Sequence, residues 1–438
     1  MGVKVCKFGG TSMADAAAIE NVAKIILSDN SRRYVVVSAP GKRNKEDIKI
    51  TDLLYECNRE AVENGDCSKS FSKIKTRYIE IANDLKIDVD IENILEETEK
   101  EINRLKSSDF AASRGEYLNA IIMAAKLNFK FIDTAEIILF DQNGNFDSES
   151  TNALVGEKLK SSDYAVLPGF YGKDRNGNIK TFSRGGSDIT GAIIARAVNA
   201  ELYENWTDVS GFLACDPRIV ENPRQIAVLS YKELRELSYM GASVLHSESI
   251  FPVRKGKIPI NIKNTFKPEE KGTMILPSEM YHKSGNVVTG IAGKKDFTVI
   301  NIEKSLMNNE LGFARRVLSV LEQYSISFEH MPSGIDTLSL VIETATLQNG
   351  MLETILEGIK KEVSPTYLYV TENIALIATV GHGMTSSVGT AGKLFSALAS
   401  ENINVKLIDQ GSSELNIIVG VDNSDYEKCV RAIYKAFK

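Results

Sequence analysis

The chain has 438 residues, 43% hydrophobic and 25% charged, which is the composition of a globular protein with room for two or three domains. Its formal net charge of −6 argues against nucleic acid as the main partner, because such a balance provides no basic face along which phosphates could be neutralised. Five scattered cysteines exclude a disulfide framework and a zinc site and, with no apolar signal core or membrane-length apolar run, predict a cytoplasmic location.

The chain opens with a strand, a glycine turn and a helix. Residues 3–6 alternate as a short strand does, residues 7–12 (KFGGTS) form the turn, and residues 13–27 carry an apolar helical period. Backbone N–H groups at such a turn lie at the positive end of the helix dipole and can bind an anion, to which Lys7 adds a charge. A bare Gly-Gly pair is more often an ordinary tight turn, so the phosphate interpretation depends on a second cluster at residues 183–188 (SRGGSD).

Strands and helices continue to alternate through the first two thirds of the chain. Residues 34–39 read as an apolar strand of the kind buried on both faces in a parallel sheet. The pattern predicts further strands at 131–132, 137–139, 165–167 and 201–203, and helices from residue 50, over 70–108, at 118–127 and at 189–198. This alternation predicts a doubly wound or three-layer α/β fold that binds ligands at the carboxyl ends of its strands.

The last third contains a repeat with an offset of 77 residues, the distance from Gly312 to Gly389. Two copies indicate a duplicated small domain, and each copy has the strand and helix order of a ferredoxin-like module. The first copy ends on an apolar strand at 365–370, whereas the second stops on a helix. Because an open sheet edge is a liability, we expect the unpartnered strand 287–292 to cross over and complete the second copy.

The chain resembles the aspartokinases along nearly its whole length. The resemblance is carried by five motifs in order, followed by a duplicated tail that is similar to a pair of ACT domains. The motifs are KFGGTS at 7–12, RGE at 114–116, SRGGSD at 183–188, WTDV at 206–209 and DPR at 216–218. In the tail, QGSSELN at 410–416 matches the second ACT domain. It implies a three-layer α/β/α amino-acid-kinase sandwich at 1–285, a first ferredoxin-like ACT module at 286–370 and a second at 371–438.

The activity implied by the resemblance is ATP-dependent phosphorylation of the side-chain carboxylate of L-aspartate to 4-phospho-L-aspartate, the first step of lysine, threonine and methionine biosynthesis. A carboxyl group with a pKa near 3.9 is already a nucleophile at neutral pH, so the reaction needs alignment and charge neutralisation and no general base. Mg²⁺ would be held mainly by ATP phosphates and water, so no protein metal site is expected.

The resemblance also assigns site residues. Lys7 and Asp188 are the implied catalytic residues, and Arg184 would fork onto the α-carboxylate of aspartate. The residues implied at the aspartate site are Thr51, Glu116, Phe170, Arg184 and Ser187, and those implied at the ATP site are Lys7, Gly9, Gly10, Thr207, Asp208, Asp216 and Arg218.

Several of these residues have structural alternatives. Glu116 and Asp188 could each cap a helix, Arg218 could belong to a surface turn, and Trp206 is more simply a packing residue. The chain also departs from the family at Ser243, where many aspartokinases carry a lysine that helps to bind nucleotide phosphates. That departure removes one expected ATP contact.

A pair of ACT domains implies an amino-acid effector site and a homodimer or dimer of dimers. The residues implied at the effector site are Met307, Asn309, Leu311, Gly312, Phe313, Glu329, Ser333 and Asp336. Three carboxylates near this segment, those of Glu310, Glu329 and Asp336, favour L-lysine over L-threonine as the inhibitor, although they could merely solvate loop ends.

Two other functions stay open from the sequence. One is a non-catalytic amino-acid sensor that keeps the kinase fold as a scaffold; the other is a kinase for another acidic amino acid, such as N-acetylglutamate. The paired acids Glu116 and Asp188 favour a substrate with a free ammonium group, since an acylated nitrogen would leave both carboxylates unpaired.

Overall fold

The computed structural model describes residues 2–183, 185–242, 244–245, 249–281 and 285–438. The chain divides into two compact units. The first comprises Met1–Phe212, Ala227–Leu234 and Ser243–Tyr281; the second comprises Leu213–Ile226, Arg235–Ala242 and His282–Lys438.

The first unit is an α/β unit built on one large sheet. Its strands are β1 (Lys4–Phe8), β2 (Arg32–Val37), β3 (Lys130–Phe131), β4 (Ala165–Pro168), β5 (Tyr171–Lys173), β6 (Ile179–Thr181), β7 (Leu202–Thr207), β8 (Val228–Ser230), β9 (Ile260–Asn264) and β10 (Thr273–Leu276). Its helices are α1 (Ala16–Leu27), α2 (Ile50–Asn64), α3 (Ser68–Leu85), α4 (Ile91–Leu105), α5 (Ser108–Leu127), α6 (Ser148–Lys160), α7 (Gly186–Ala197), the first half of α8 (Tyr231–Tyr239) and α9 (Phe251–Lys255).

The large sheet has the strand order β3-β4-β2-β1-β7-β9-β10-β8 over the described residues. Every neighbouring pair is parallel except β9 and β10. The strands β1, β2 and β7 therefore end at the same edge, and the loops that follow them lie side by side. The strands β5 and β6 form a separate antiparallel hairpin.

Helices cover both faces of this sheet, as the alternation of side chains along the strands requires. Cys6 and Phe8 of β1 belong to the hydrophobic core formed with α1 to α5. Helix α7 packs on β1, β2 and β7, where Tyr203 approaches so closely that a Cβ on Gly191 would lie 2.6 Å from its ring. The predicted three-layer sandwich is confirmed.

The second unit contains an antiparallel sheet and its helices. Its strands are β11 (Gly290–Glu303), β12 (Thr337–Glu343), β13 (Tyr367–Val380), β14 (Leu407–Asp409) and β15 (Asn416–Asp422). Its helices are the second half of α8, α10 (Phe313–Gln323), α11 (Met351–Val363), α12 (Thr390–Ser400) and α13 (Tyr426–Phe437).

Two long strands are shared by the two repeats. The order of the described strands is β12-β11-β13-β15-β14. The first half of β11 pairs with the last residues of β13, from Gly290 opposite Val380, and the second half pairs with both β12 and the start of β13. The helices at the repeated glycines begin alike, with Gly312 at φ +76° and Gly389 at φ +84° as the residues before α10 and α12. Both conformations favour glycine, which explains why the repeat keeps it.

Some predicted elements differ from the structure. Residues 11–13 form a 3₁₀ turn and α1 begins only at Ala16, because Asp15 caps it by accepting a hydrogen bond from the Ala18 amide at 2.8 Å. The predicted strand at 137–139 is wrong, since the backbone there turns and Leu139 makes only an isolated bridge to Lys173. Within the described part of the chain, no helix is long and apolar enough to cross a membrane.

Candidate active site

The glycine turn after β1 is pressed against the loop after β2. The Gly41 amide donates to the Gly10 carbonyl at 2.8 Å, and a Cβ on Gly41 would lie 2.6 Å from the carbonyl carbon of Gly10. The Gly9 amide donates to the Trp206 carbonyl at 3.0 Å, which ties the turn to β7 as well. Three neighbouring strand ends are thereby held together, and the two glycine loops touch because neither has a side chain at the contact.

Lys7 and Asp188 form a buried ion pair at this edge. Lys7 is 8% exposed, and its Nζ lies 2.7 Å from Oδ1 of Asp188 in the first turn of α7. Asn205 donates to the same carboxylate oxygen at 2.9 Å, and Tyr203 donates to the Asp188 backbone carbonyl at 3.0 Å. The capping alternative for Asp188 is wrong, because the residue before α7 is Gly185 and the carboxylate is held by other partners.

Glu116 is buried in the middle of α5, so the alternative that it caps a helix is also wrong. Its side chain accepts a hydrogen bond from the Ala39 amide, but its Oε2 atom is buried without a hydrogen-bond partner among the described residues. Burial raises the pKa of Glu116 to about 8, and the hydrogen bond from Ala39 only partly opposes that shift. A buried carboxyl oxygen without a partner is costly, which indicates a place where a ligand donates.

The loops and helices at this edge line an open cavity of about 380 Å³. Thr51, the second residue of α2, and Glu116 both line it, together with the glycine turn. The lining residues are Gly10, Thr11, Ser38, Ala39, Pro40, Gly41, Lys42, Lys49, Thr51 and Glu116. The structure thus brings three of the predicted site residues together, and it adds a rim with two lysines.

The loop that contains Phe170 packs against the first turn of α7, which contains Ser187. Phe170 has φ +82°, a conformation that strains a residue with a side chain, and its amide donates to Oγ1 of Thr190 at 3.0 Å. A Cβ on Gly169 would lie 2.4 Å from the Ser187 side chain, and one on Gly186 would lie 3.1 Å from the Phe170 ring. Such strain is typical of ligand-binding loops.

Thr207 and Asp208 follow β7, next to the glycine turn. The Thr207 hydroxyl donates to Asp208 at 3.2 Å, and Asp208 is exposed. Trp206 is buried and stacks on Phe8 with ring centroids 5.8 Å apart, which confirms its predicted packing role.

Asp216 and Arg218 belong to the second unit. The Arg218 guanidinium binds the Asp216 carboxylate at 2.7 Å, and its side chain is 88% exposed. The hydrogen bonds hold the pKa of Asp216 below its ordinary value, although burial opposes them. Their role at the nucleotide stays a prediction, as does that of Arg184, which lies outside the described residues together with Ser243.

Sequence reasoning missed the partners of the predicted residues. The motifs did not predict that Asn205 donates a hydrogen bond to Asp188, or that Lys42 and Lys49 line the cavity. The available signal was the break of β2 on Pro40-Gly41 followed by a charged loop, which marks a loop at a strand's carboxyl end.

The predicted effector segment lies in the second unit. Met307 and Phe313 are buried, whereas Leu311 is 93% exposed. Glu310 is bound by Lys304 at 2.6 Å and also by Arg316, and these cations lower the pKa of Glu310. The expectation of three carboxylates available to an effector is therefore wrong for Glu310.

The other two acids of the effector segment differ from Glu310. The Glu329 carboxylate accepts a hydrogen bond from the Tyr239 hydroxyl. The backbone carbonyl of Asp336 accepts one from the Lys304 amide at 2.9 Å.

Comparison with known proteins gives the family. Residues 2–264 match the Amino acid kinase family and residues 377–437 match the ACT domain. Aspartokinase 3 of Bacillus subtilis is 37% identical over 452 residues, which cover 99% of this chain and 98% of the relative. The chain belongs to the aspartokinase family. Its members are phosphotransferases, so the predicted family and enzyme class are confirmed.

Other relatives and solved structures agree. Aspartokinase 1 of Arabidopsis thaliana, a chloroplastic protein, is 32% identical over 99% of this chain and 80% of its own length. The crystal structure of Clostridium acetobutylicum aspartate kinase is 55% identical, covers 100% of both chains and superposes with a TM-score of 0.92. Escherichia coli aspartokinase III in complex with lysine and aspartate is 25% identical over 99% of both chains, with a TM-score of 0.73.

Proposed function

We propose that this aspartokinase transfers the γ-phosphoryl group of ATP to the side-chain carboxylate of L-aspartate, giving 4-phospho-L-aspartate and ADP. The observation that carries the substrate assignment is Glu116, whose buried Oε2 has no hydrogen-bond partner among the described residues and lies beside the cavity that Thr51 lines. An ammonium group would supply the missing donor and favour the charged carboxylate. The E. coli relative was crystallised with aspartate, which supports the same substrate here.

The reaction needs no base from the protein. A carboxylate oxygen of aspartate forms a bond to the γ-phosphorus, the bond from that phosphorus to the bridging oxygen of ADP breaks, and no proton moves. Lys7 would neutralise charge on the transferring group, because its Nζ lies beside Gly9 at the glycine turn, held in place by Asp188. The buried position of Lys7 strengthens this electrostatic effect.

The remaining predicted residues divide between the two substrates. Arg184 would fork onto the α-carboxylate of aspartate, and Phe170 and Ser187 would line the pocket. Gly9, Gly10, Thr207 and Asp208 would contact ATP. Mg²⁺ bound to the ATP phosphates would supply further positive charge at the transferring group.

The substrate assignment excludes an N-acylated amino acid. An acylated nitrogen can donate a hydrogen bond but carries no positive charge, so it would leave the ionised form of Glu116 buried without a compensating cation. N-acetylglutamate is therefore the sharpest competitor to test against aspartate.

We further propose regulation by an amino acid, L-lysine in the first instance, at residues 307–336. Glu329 and Asp336 supply negative charge there, and the E. coli relative was crystallised with lysine as well as aspartate. We also propose a homodimer, or a dimer of dimers, formed through the ACT modules taken as 286–370 and 371–438. Leu311 and Val388 support this, since they hold equivalent positions in the two repeats and are 93% and 103% exposed.

The test of the function is acceptor-dependent ADP formation. We expect turnover with L-aspartate, none above background with N-acetyl-L-glutamate, and a rate lower by about 100-fold or more with aspartate and the Lys7→Ala variant at the same enzyme concentration. Turnover with N-acetyl-L-glutamate but not aspartate would overturn the substrate assignment. No turnover with either acceptor would favour the alternative that the chain is a non-catalytic amino-acid sensor.

A further inference from the structure

Arg77 of α3 is a buried arginine whose guanidinium group donates hydrogen bonds to residues outside its own helix. It is 5% exposed. Its Nη1 donates to Oδ2 of Asp47 at 2.6 Å, and its Nη2 donates to the backbone carbonyls of Ala14 at 2.7 Å and Gly41 at 2.6 Å. One guanidinium group therefore holds three separate loop segments. A lysine could not reproduce this arrangement, because it offers a single nitrogen in place of a planar fork.

The three segments are those that shape the cavity beside Glu116. Ala14 follows the 3₁₀ turn that begins directly after Gly10, and Gly41 follows β2. Asp47 lies in the loop that leads into α2 and Thr51. Because Gly41 contacts Gly10 without room for a Cβ, any movement of Gly41 moves the glycine turn too.

The charge balance keeps this connection intact over a wide pH range. Burial alone would raise the pKa of Asp47, but hydrogen bonds from Arg43 and the charge of Arg77 hold it well below its usual range. Asp47 is therefore ionised wherever the reaction can run. A buried ion pair carries a desolvation cost that an apolar residue would avoid, so stability of α3 alone does not account for Arg77.

We propose that Arg77 is a positioning residue for the phosphoryl transfer: it fixes the glycine turn at Gly10 relative to the aspartate side of the cavity at Thr51. The inference rests on the proposed function. Loss of the fork should let residues 40–49 shift, which misaligns aspartate with the phosphoryl group. Gly10 is one of the residues proposed to contact ATP and moves with Gly41, so the KM for ATP should rise as well, and kcat should fall because the two substrates lose their alignment.

The test compares Arg77→Lys with Arg104→Lys as a matched control. Arg104 lies on the neighbouring helix α4, is 64% exposed and binds Glu101 one turn away. We expect kcat/KM for aspartate to fall by about 10- to 100-fold in Arg77→Lys, the cost of a displacement near 1 Å, and kcat at saturating aspartate and ATP to fall with it. The control should match wild type. An unchanged kcat/KM for aspartate, or a rise in the KM values at an unchanged kcat, would overturn the proposal.

Two further measurements keep the proposal testable. Amide hydrogen exchange of residues 40–49 should be faster in Arg77→Lys than in wild type and unchanged in Arg104→Lys, and equal exchange in all three proteins would refute the connection. If Arg77→Lys does not fold, Asp47→Asn removes the charge partner at constant volume and should raise the KM for aspartate several-fold; an unaltered KM would refute it. Lack of aspartate turnover by wild type would refute the proposed function, while the exchange result would still decide the role of Arg77.

Discussion

The pH dependence of aspartate binding should report the ionisation of Glu116. Burial raises its pKa to about 8, and the proposed role needs the charged form to meet the substrate ammonium group. At pH 7 only about a tenth of the free enzyme is then ionised, so binding carries a deprotonation cost of about 1.4 kcal/mol. The KM for aspartate should accordingly fall about eightfold between pH 7 and pH 8.5, while kcat stays nearly constant.

The assay is the initial rate of ADP formation at saturating ATP, with aspartate varied at each pH and the coupling enzymes in excess throughout. Glu116→Gln keeps the volume of the side chain and cannot ionise, so its KM should be higher and independent of pH. A plot of log kcat/KM for aspartate against pH should change slope near pH 8 in wild type and not in Glu116→Gln. A KM that is flat in wild type, or an identical slope in Glu116→Gln, would refute the assignment of the ammonium group to Glu116.

Further predictions concern charge, recognition, stability and regulation. Lys7→Ala should lower kcat by about 100-fold or more and leave the KM for aspartate comparatively unchanged, since its charge acts mainly in the transition state; an unaltered kcat would remove it from the mechanism. Arg184→Lys should raise the KM for aspartate but not that for ATP, and the reverse pattern would reassign it to the nucleotide. Folding raises the pKa of Glu116, so its contribution to stability is complete at a pH below its pKa in the unfolded chain and is lost as pH rises through about 8. The Tm of Glu116→Gln relative to that of wild type should therefore increase from pH 5 to pH 9. Glu329→Ala and Asp336→Ala should relieve inhibition by L-lysine at unchanged kcat, and full lysine sensitivity in both would place the effector elsewhere.

Much of the fold follows from the sequence because its signals are local. The alternating strands and helices, the glycine turn and the repeat from Gly312 to Gly389 each depend on patterns within short segments or on direct comparison of segments. The strand at 137–139 was wrong for the same reason: a short apolar run fits a strand or a turn equally well, and only its contacts decide.

The site was predictable in its residue types and not in its connections. The motifs placed Lys7 and Asp188 in one site. The ion pair between them at 2.7 Å and the hydrogen bond from Asn205 to Asp188 arise from the order of the strands, which no single motif contains. Glu310 shows the opposite failure. Its charge was counted as available, yet Lys304 and Arg316 neutralise it, and such pairing depends on three-dimensional proximity.

The position of the transferred phosphoryl group tests the central claim most directly. Wild-type enzyme, ATP and L-aspartate are incubated with hydroxylamine, which converts an acyl phosphate into a hydroxamate, and the hydroxamate is identified by mass spectrometry against synthetic α- and β-aspartyl hydroxamates. We predict the β-aspartyl hydroxamate, in an amount that matches the ADP formed and falls by about 100-fold or more in Lys7→Ala. Formation of the α-isomer, or of ADP without any hydroxamate, would contradict phosphorylation of the aspartate side chain.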